Sequence, residues 1–217
     1  MIVIDLAHTM NEAIPVYPGT PRPMIRDATT IESGGFAEKL ISISTHTGTH
    51  IDAPAHIIPG SLTIDLIPVT RFLGPATVIG VEPRDAHIHK DVLLPYAGVI
   101  RESEFVLLHT GWSKHWGTEE YFADFPVLSD DAALWLASFQ LKGIGIDAIS
   151  VDPVDALDLW NHKRMLSRGT LIIENLTNLE SLPAKGFLFV CMPWKLQGGD
   201  GSPVRAYAMI QEAPAAE

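Results

Sequence analysis

Short apolar runs rich in Val, Ile, Leu and Phe are spread along the whole chain, while only two stretches carry a helical pattern. The runs fall at 2–6, 39–45, 76–81, 105–109, 144–149, 170–173, 187–192 and 204–210. Each has the length and β-branched content of a strand. The clearer helical stretch is 130–141, with Ser129 as its N-cap, two aspartates in its first turn, Leu134 and Phe139 available to a core, and Gly143 as its stop. The second is 158–167, with Gly169 beyond its end. Strand and helix do not alternate strictly, which argues against a regular doubly wound sheet. The pattern predicts an α/β domain with a mixed, mostly β core and few helices. No linker divides the 217 residues, so one domain is expected over 1–212, with a short frayed tail at 213–217.

Charge and composition narrow the partners. The chain has 15 basic and 26 acidic residues, a formal charge of −11. It therefore lacks the basic footprint of a nucleic-acid binder and any polybasic segment for anionic lipid. No apolar run approaches the roughly 18 residues of a spanning helix. The opening MIVIDLAHTM has no basic stretch before its apolar residues and does not read as a secretory leader. The single cysteine, Cys191, excludes an internal disulfide and reads as a buried strand residue. A reducing compartment follows, hence the cytoplasm. Dinucleotide, P-loop and nucleophile-elbow motifs are absent, and Gly201-Ser202-Pro203 reads as a turn between strands.

The chemistry gathers in one segment, HTGTHIDAPAH at 46–56. Gly48 and Pro54 argue against a helix there. On a roughly extended chain His46, His50, Asp52 and His56 share parity and project to one side. Neutral imidazoles with one carboxylate suit zinc, manganese or iron. The His87-Ile88-His89 pair lies in a charged, loop-like stretch and reads as solvated surface. His109 ends an apolar strand and is a candidate pocket wall. The aromatic stretch 112–125 reads equally as a wall for an aryl substrate or as peripheral packing.

With those residues in view, the segment resembles the H-x-G-T-H-x-D-A-P-x-H signature of the metal-dependent cyclase family, which includes bacterial kynurenine formamidases. DLAHTMNEAIPVYPGTP, LLHTGW, GIGIDAISVDP, LIIENLTNLESLP and GGDGSPVRAYA resemble further family blocks, so the likeness spans nearly the whole chain. It implies a swivelling β/β/α single domain and a homodimer or homotetramer. It implies that His46, His50 and Asp52 hold one divalent ion, zinc or manganese. A second ion, where present, would be bridged by Asp52 and completed by His162 and Glu174. His56 is implied as the catalytic acid/base. The implied reaction is hydrolysis of a carbon–nitrogen amide bond in a small aryl substrate, of the N-formylkynurenine type, by metal-activated water. Tyr17 stands in the opening turn where the kynurenine formamidase branch typically carries a substrate-touching Trp. A cyclic amide of the isatin type is therefore a competing substrate, and a non-catalytic metal- or ligand-binding scaffold is the rival from another class.

Overall fold

In this computed structural model, residues 1–211 are described. The expected tail at 213–217 lies outside them. In chain order the strands are Ile2–Asp5 (β1), Met24–Thr29 (β2), Glu38–Ser42 (β3), His50–Asp52 (β4), Leu73–Gly80 (β5), His87–Ile88 (β6) and Phe105–His109 (β7). Then follow Val127–Leu128 (β8), Gly143–Ile146 (β9), Leu171–Glu174 (β10), Lys185–Val190 (β11), Gly201–Pro203 (β12) and Tyr207–Ile210 (β13). Nine of them form one sheet in the order β1-β13-β11-β5-β7-β9-β10-β4-β12. The central β5, β7, β9 and β10 run parallel, and the strands on both flanks are antiparallel. This is a single α/β domain, mostly strand, built on a mixed sheet.

Alternation along the central strands decides the layering. In β7, Val106 and Leu108 enter one apolar cluster while Phe105 and Leu107 enter the other. In β10, Ile172 faces the first cluster, and Leu171 and Ile173 face the second. The first is covered by the helices Asp130–Leu136 and Trp160–Leu166, through Ala133, Leu136, Met165 and Leu166. The second is filled by the sheet's own outer strands, with Ile51, Phe187, Phe189 and Ala208, so the sheet curls over itself. Leu107 is wholly buried, and Leu107→Ala is expected to cost about 2–5 kcal/mol.

Several sequence expectations are corrected. The first helix ends at Leu136 instead of 141. Leu134 is 54% exposed, because Ala132, Ala133 and Leu136 form the buried face. Ser129 is the N-cap residue as expected, but its hydroxyl donates to Asp131 Oδ1 at 2.6 Å instead of accepting a backbone N–H of the helix. The run at 39–45 is not in the large sheet: β3 pairs only with β2 in an exposed hairpin. Gly201-Ser202-Pro203 is no turn but the edge strand β12, paired with β4. Cys191 is buried just past β11, as its apolar context implied.

Candidate metal centre

The register of three strands builds the site. β4 lies between β10 and β12, with His50 opposite Glu174 and Asp52 opposite Gly201. Alternation sends Ile51 into the core and leaves His50, Asp52 and Glu174 together on the other side. Only 50–52 is strand. His46 returns to the site through a turn in which Gly48 takes φ +68°, and His56 ends the short 3-10 turn Pro54–His56. The four side chains of the histidine segment do converge, but by turning and not by staying extended.

His162 arrives on the helix Trp160–Leu166, and Asp152 sets its pose. The Asp152 carboxylate accepts the backbone N–H groups of Asn161 (2.9 Å) and His162 (3.0 Å) and His162 Nδ1 (2.7 Å). His50 Nδ1 donates to the Gly48 carbonyl at 2.8 Å. In both rings the Nδ1 proton is committed elsewhere, which leaves Nε2 to face the carboxylates. His50 Nε2 lies 3.4 Å from Asp52 Oδ1 and 3.4 Å from Glu174 Oε2. His162 Nε2 lies 3.4 Å from Asp52 Oδ2 and 3.3 Å from Glu174 Oε1.

Those spacings are too long for charge-assisted hydrogen bonds, which run about 2.7–2.9 Å. Each equals the spacing of two ligands on one cation, roughly 3.3–3.4 Å for bonds of about 2.0–2.1 Å, and the two rings face opposite oxygens of each carboxylate. Asp52 is fully buried and its Oδ2 has no hydrogen-bond partner. A buried carboxylate oxygen without a donor is costly unless a cation faces it. The donor set therefore fits a divalent metal. His46, Asp52 and His56 form a second group, in which a nitrogen or carboxylate oxygen of each lies within 4.8 Å of the others, so Asp52 belongs to both groups.

Electrostatics point the same way. Burial works to lower the pKa of His50, but Asp52 and Glu174 outweigh it and hold the group at about 10. For His46, burial is outweighed by Asp52 and Asp200, and the value rises to about 9. His46 Nδ1 donates to Asp52 Oδ1 at 2.6 Å and Nε2 to Asp200 Oδ2 at 3.1 Å. The carboxyl of Asp52 is held well below its ordinary range: burial opposes this, and His46, His162 and His50 overcome it. His56 goes the other way, lowered mainly by burial. A cavity of about 210 Å3 opens over the cluster, lined by Tyr17, His46, His50, His56, Ile149, Leu159, His162 and Glu174 among others.

Comparison with known proteins decides the family. The family described as "Putative cyclase" matches residues 4–153. The chain belongs to the cyclase family. It is 35% identical to the kynurenine formamidase of Bacillus cereus over 205 residues, covering 94% of this chain and 95% of that one. Its fold is similar to isatin hydrolase A from Ralstonia solanacearum, with TM-score 0.84, 26% identity and coverage of 97% and 92%. It is also similar to the predicted metal-dependent hydrolase from Bacillus stearothermophilus, with TM-score 0.80, 33% identity and coverage of 95% and 97%. This cyclase-family chain is an enzyme of the metal-dependent hydrolase class.

Not every expected residue joins the cyclase site. His109 ends β7 and is absent from the cavity wall; its Nε2 lies 3.9 Å from a Glu180 carboxylate oxygen. The aromatic stretch is packing: Trp112, Trp116 and Phe122 lie against the first core cluster, and the buried Tyr121 donates to Asn175 Oδ1 at 2.7 Å. Tyr17 does line the cavity, and its hydroxyl donates to the Val154 carbonyl at 3.0 Å. Sequence reasoning missed Asp152 and Asp200 as site residues. Asp152 lay in the quoted block GIGIDAISVDP and Asp200 between glycines in GGDGS, the only signals available.

Proposed function

We propose that this cyclase-family enzyme hydrolyses the carbon–nitrogen bond of a small aryl amide, with N-formyl arylamines of the kynurenine formamidase type as first candidates. The observation that carries the reading is the placing of imidazole nitrogens 3.3–3.4 Å from carboxylate oxygens beneath a cavity of about 210 Å3. His50, Asp52 and Glu174 would hold one ion, with His162 against the other oxygens of the same two carboxylates, and His46 with Asp52 would hold another. Zinc and manganese both suit imidazole–carboxylate donors. A bound divalent ion supplies a water that ionises near neutral pH and a Lewis acid for the amide oxygen.

The chain's own residues do the rest. Burial lowers the pKa of His56 and so favours its neutral, proton-accepting form. It can accept a proton from the attacking water and pass it to the leaving nitrogen. Asp152 fixes the ring of His162, and the Asp200 carboxylate lies 3.6 Å from His56 Nδ1. Ile149, Leu159 and Tyr17 offer an apolar lining suited to an aryl ring.

A cyclic amide of the isatin type is the second reading. The whole-chain likeness to isatin hydrolase A and Tyr17 in the opening turn favour it. A homodimer or homotetramer is proposed as well, supported by exposed Met24, Phe36, Leu40 and Ile41 on and beside the β2–β3 hairpin. The buried thiol of Cys191 and the absence of any other cysteine suit a cytoplasmic enzyme. The deciding experiment assays metal-loaded protein on N-formyl arylamines and isatin, beside His56→Ala. Turnover of one class is expected, falling at least a hundredfold in His56→Ala with metal content unchanged. Full turnover in that variant removes His56 from the chemistry; lost metal instead makes it a ligand.

A further inference from the structure

Two hollows meet at Leu159. One is the 210 Å3 cavity over the histidine cluster. The other, of about 780 Å3, lies outside and is lined by His87, His89, Leu157 and Trp160 among others. Leu159 alone among the described residues lines both. Its backbone is left-handed, at φ 40° and ψ 54°. A leucine keeps that conformation only where its surroundings over-determine it, and such strain concentrates at functional sites.

The surroundings here are specific. Lys163 N donates to the Leu159 carbonyl at 3.0 Å, and Asp152 accepts the first N–H groups of the same helix. At the other end of the strap 153–159, the Tyr17 hydroxyl holds the Val154 carbonyl. Between these ties Leu157 stands fully in solvent, so the middle of the strap is not packed into the core. The strap is fixed at its ends: Val154 packs against the first core cluster, and Leu159 is the strap's one residue on the wall of the cavity.

We propose that Leu159 is the specificity-determining partition of this enzyme. It confines the substrate to a compact amide with one aromatic ring and shuts out amides that carry a second aromatic ring. The proposal rests on the amide-hydrolase reading above. A cavity of 210 Å3 is smaller than the roughly 300–1,000 Å3 of pockets for drug-sized ligands, whereas the same cavity joined to the outer hollow reaches that range. Leu157 and Trp160 offer a second ring apolar and aromatic surface there, while Asp130 and Asp131 disfavour an anionic tail.

The test measures binding, so it does not depend on turnover. Affinities of benzamide and biphenyl-4-carboxamide are determined by calorimetry for the metal-loaded wild type, Leu159→Ala, Leu159→Gly and Leu159→Met. Metal content and melting temperature are followed alongside. The wild type and Leu159→Met are expected to prefer benzamide at least tenfold. Leu159→Ala and Leu159→Gly are expected to move that ratio at least tenfold toward the biphenyl amide. A ratio within twofold of wild type in both small variants overturns the partition. A shift in Leu159→Gly alone also overturns it, because glycine relaxes the backbone whereas alanine removes the same wall and keeps the strain. The amide-hydrolase reading fails separately, if the wild type hydrolyses neither formanilide nor isatin while these affinities are still measured.

Discussion

A Cβ on Gly201 would lie 2.5 Å from Cε1 of His46 and 2.9 Å from its Nε2. β12 runs past the imidazole so closely that only glycine fits opposite Asp52. The backbone oxygen of Ile51 is as close, at 2.9 Å, so the new methyl cannot move aside. Gly201→Ala is expected to displace His46, lower activity at least tenfold and destabilise the fold by about 1–3 kcal/mol. Metal analysis and thermal melting check this; wild-type values in both would mean that β12 yields freely.

Glu174→Gln keeps the shape of the side chain and removes one of the two carboxylates that face His50 and His162. A neutral amide is a weak partner for a dication. The variant is expected to lose about one ion per chain and most activity while remaining folded. His46→Ala should deplete the other position, where His46, Asp52 and His56 gather. Metal content that is unchanged in Glu174→Gln would take this residue out of the centre.

Metal binding should release protons. In their carboxylate surroundings His46 is raised to about 9 and His50 to about 10, against an ordinary 6.5. At pH 7 both carry protons that a cation must displace, so metal affinity is expected to rise with pH, by about tenfold per unit for each proton lost. Because both folded values lie above the unfolded one, the metal-free protein gains stability that is fully present below pH 6.5 and is lost as the pH climbs through about 9 and 10. Calorimetry in two buffers of different ionisation heat counts the protons. A count of zero at pH 7 would contradict the assignment.

Asp152→Asn tests the pose of His162. The carboxylate holds that ring's Nδ1 at 2.7 Å and also receives two N–H groups at the helix start. An amide can keep some of these bonds but supplies no charge and can present an N–H where an acceptor is needed. Metal affinity is expected to fall about 10–100-fold. Titration of the metal-free variant measures it; wild-type affinity would show that Asp152 serves the helix alone.

The sequence by itself determined where the candidate donors concentrate and the class of fold. Three histidines and Asp52 within eleven residues are visible because they are local. Short β-branched runs foretold the sheet because strand alternation is also local. Tertiary structure decided the rest. Glu174 meets His50 only because β10 pairs with β4, and Gly201 meets His46 only because β12 pairs on the other side. Strand partners are fixed by which apolar faces bury together, and no window of sequence contains that information. Asp152 and Asp200 act across 10 and 154 residues respectively, so no spacing rule reaches both. His109 shows the converse: it has the right residue type at a strand end, but β7 is separated from β4 by β9 and β10. The partition at Leu159 is likewise tertiary, since two hollows and a left-handed backbone exist only once the strap is tied between Tyr17 and Asp152.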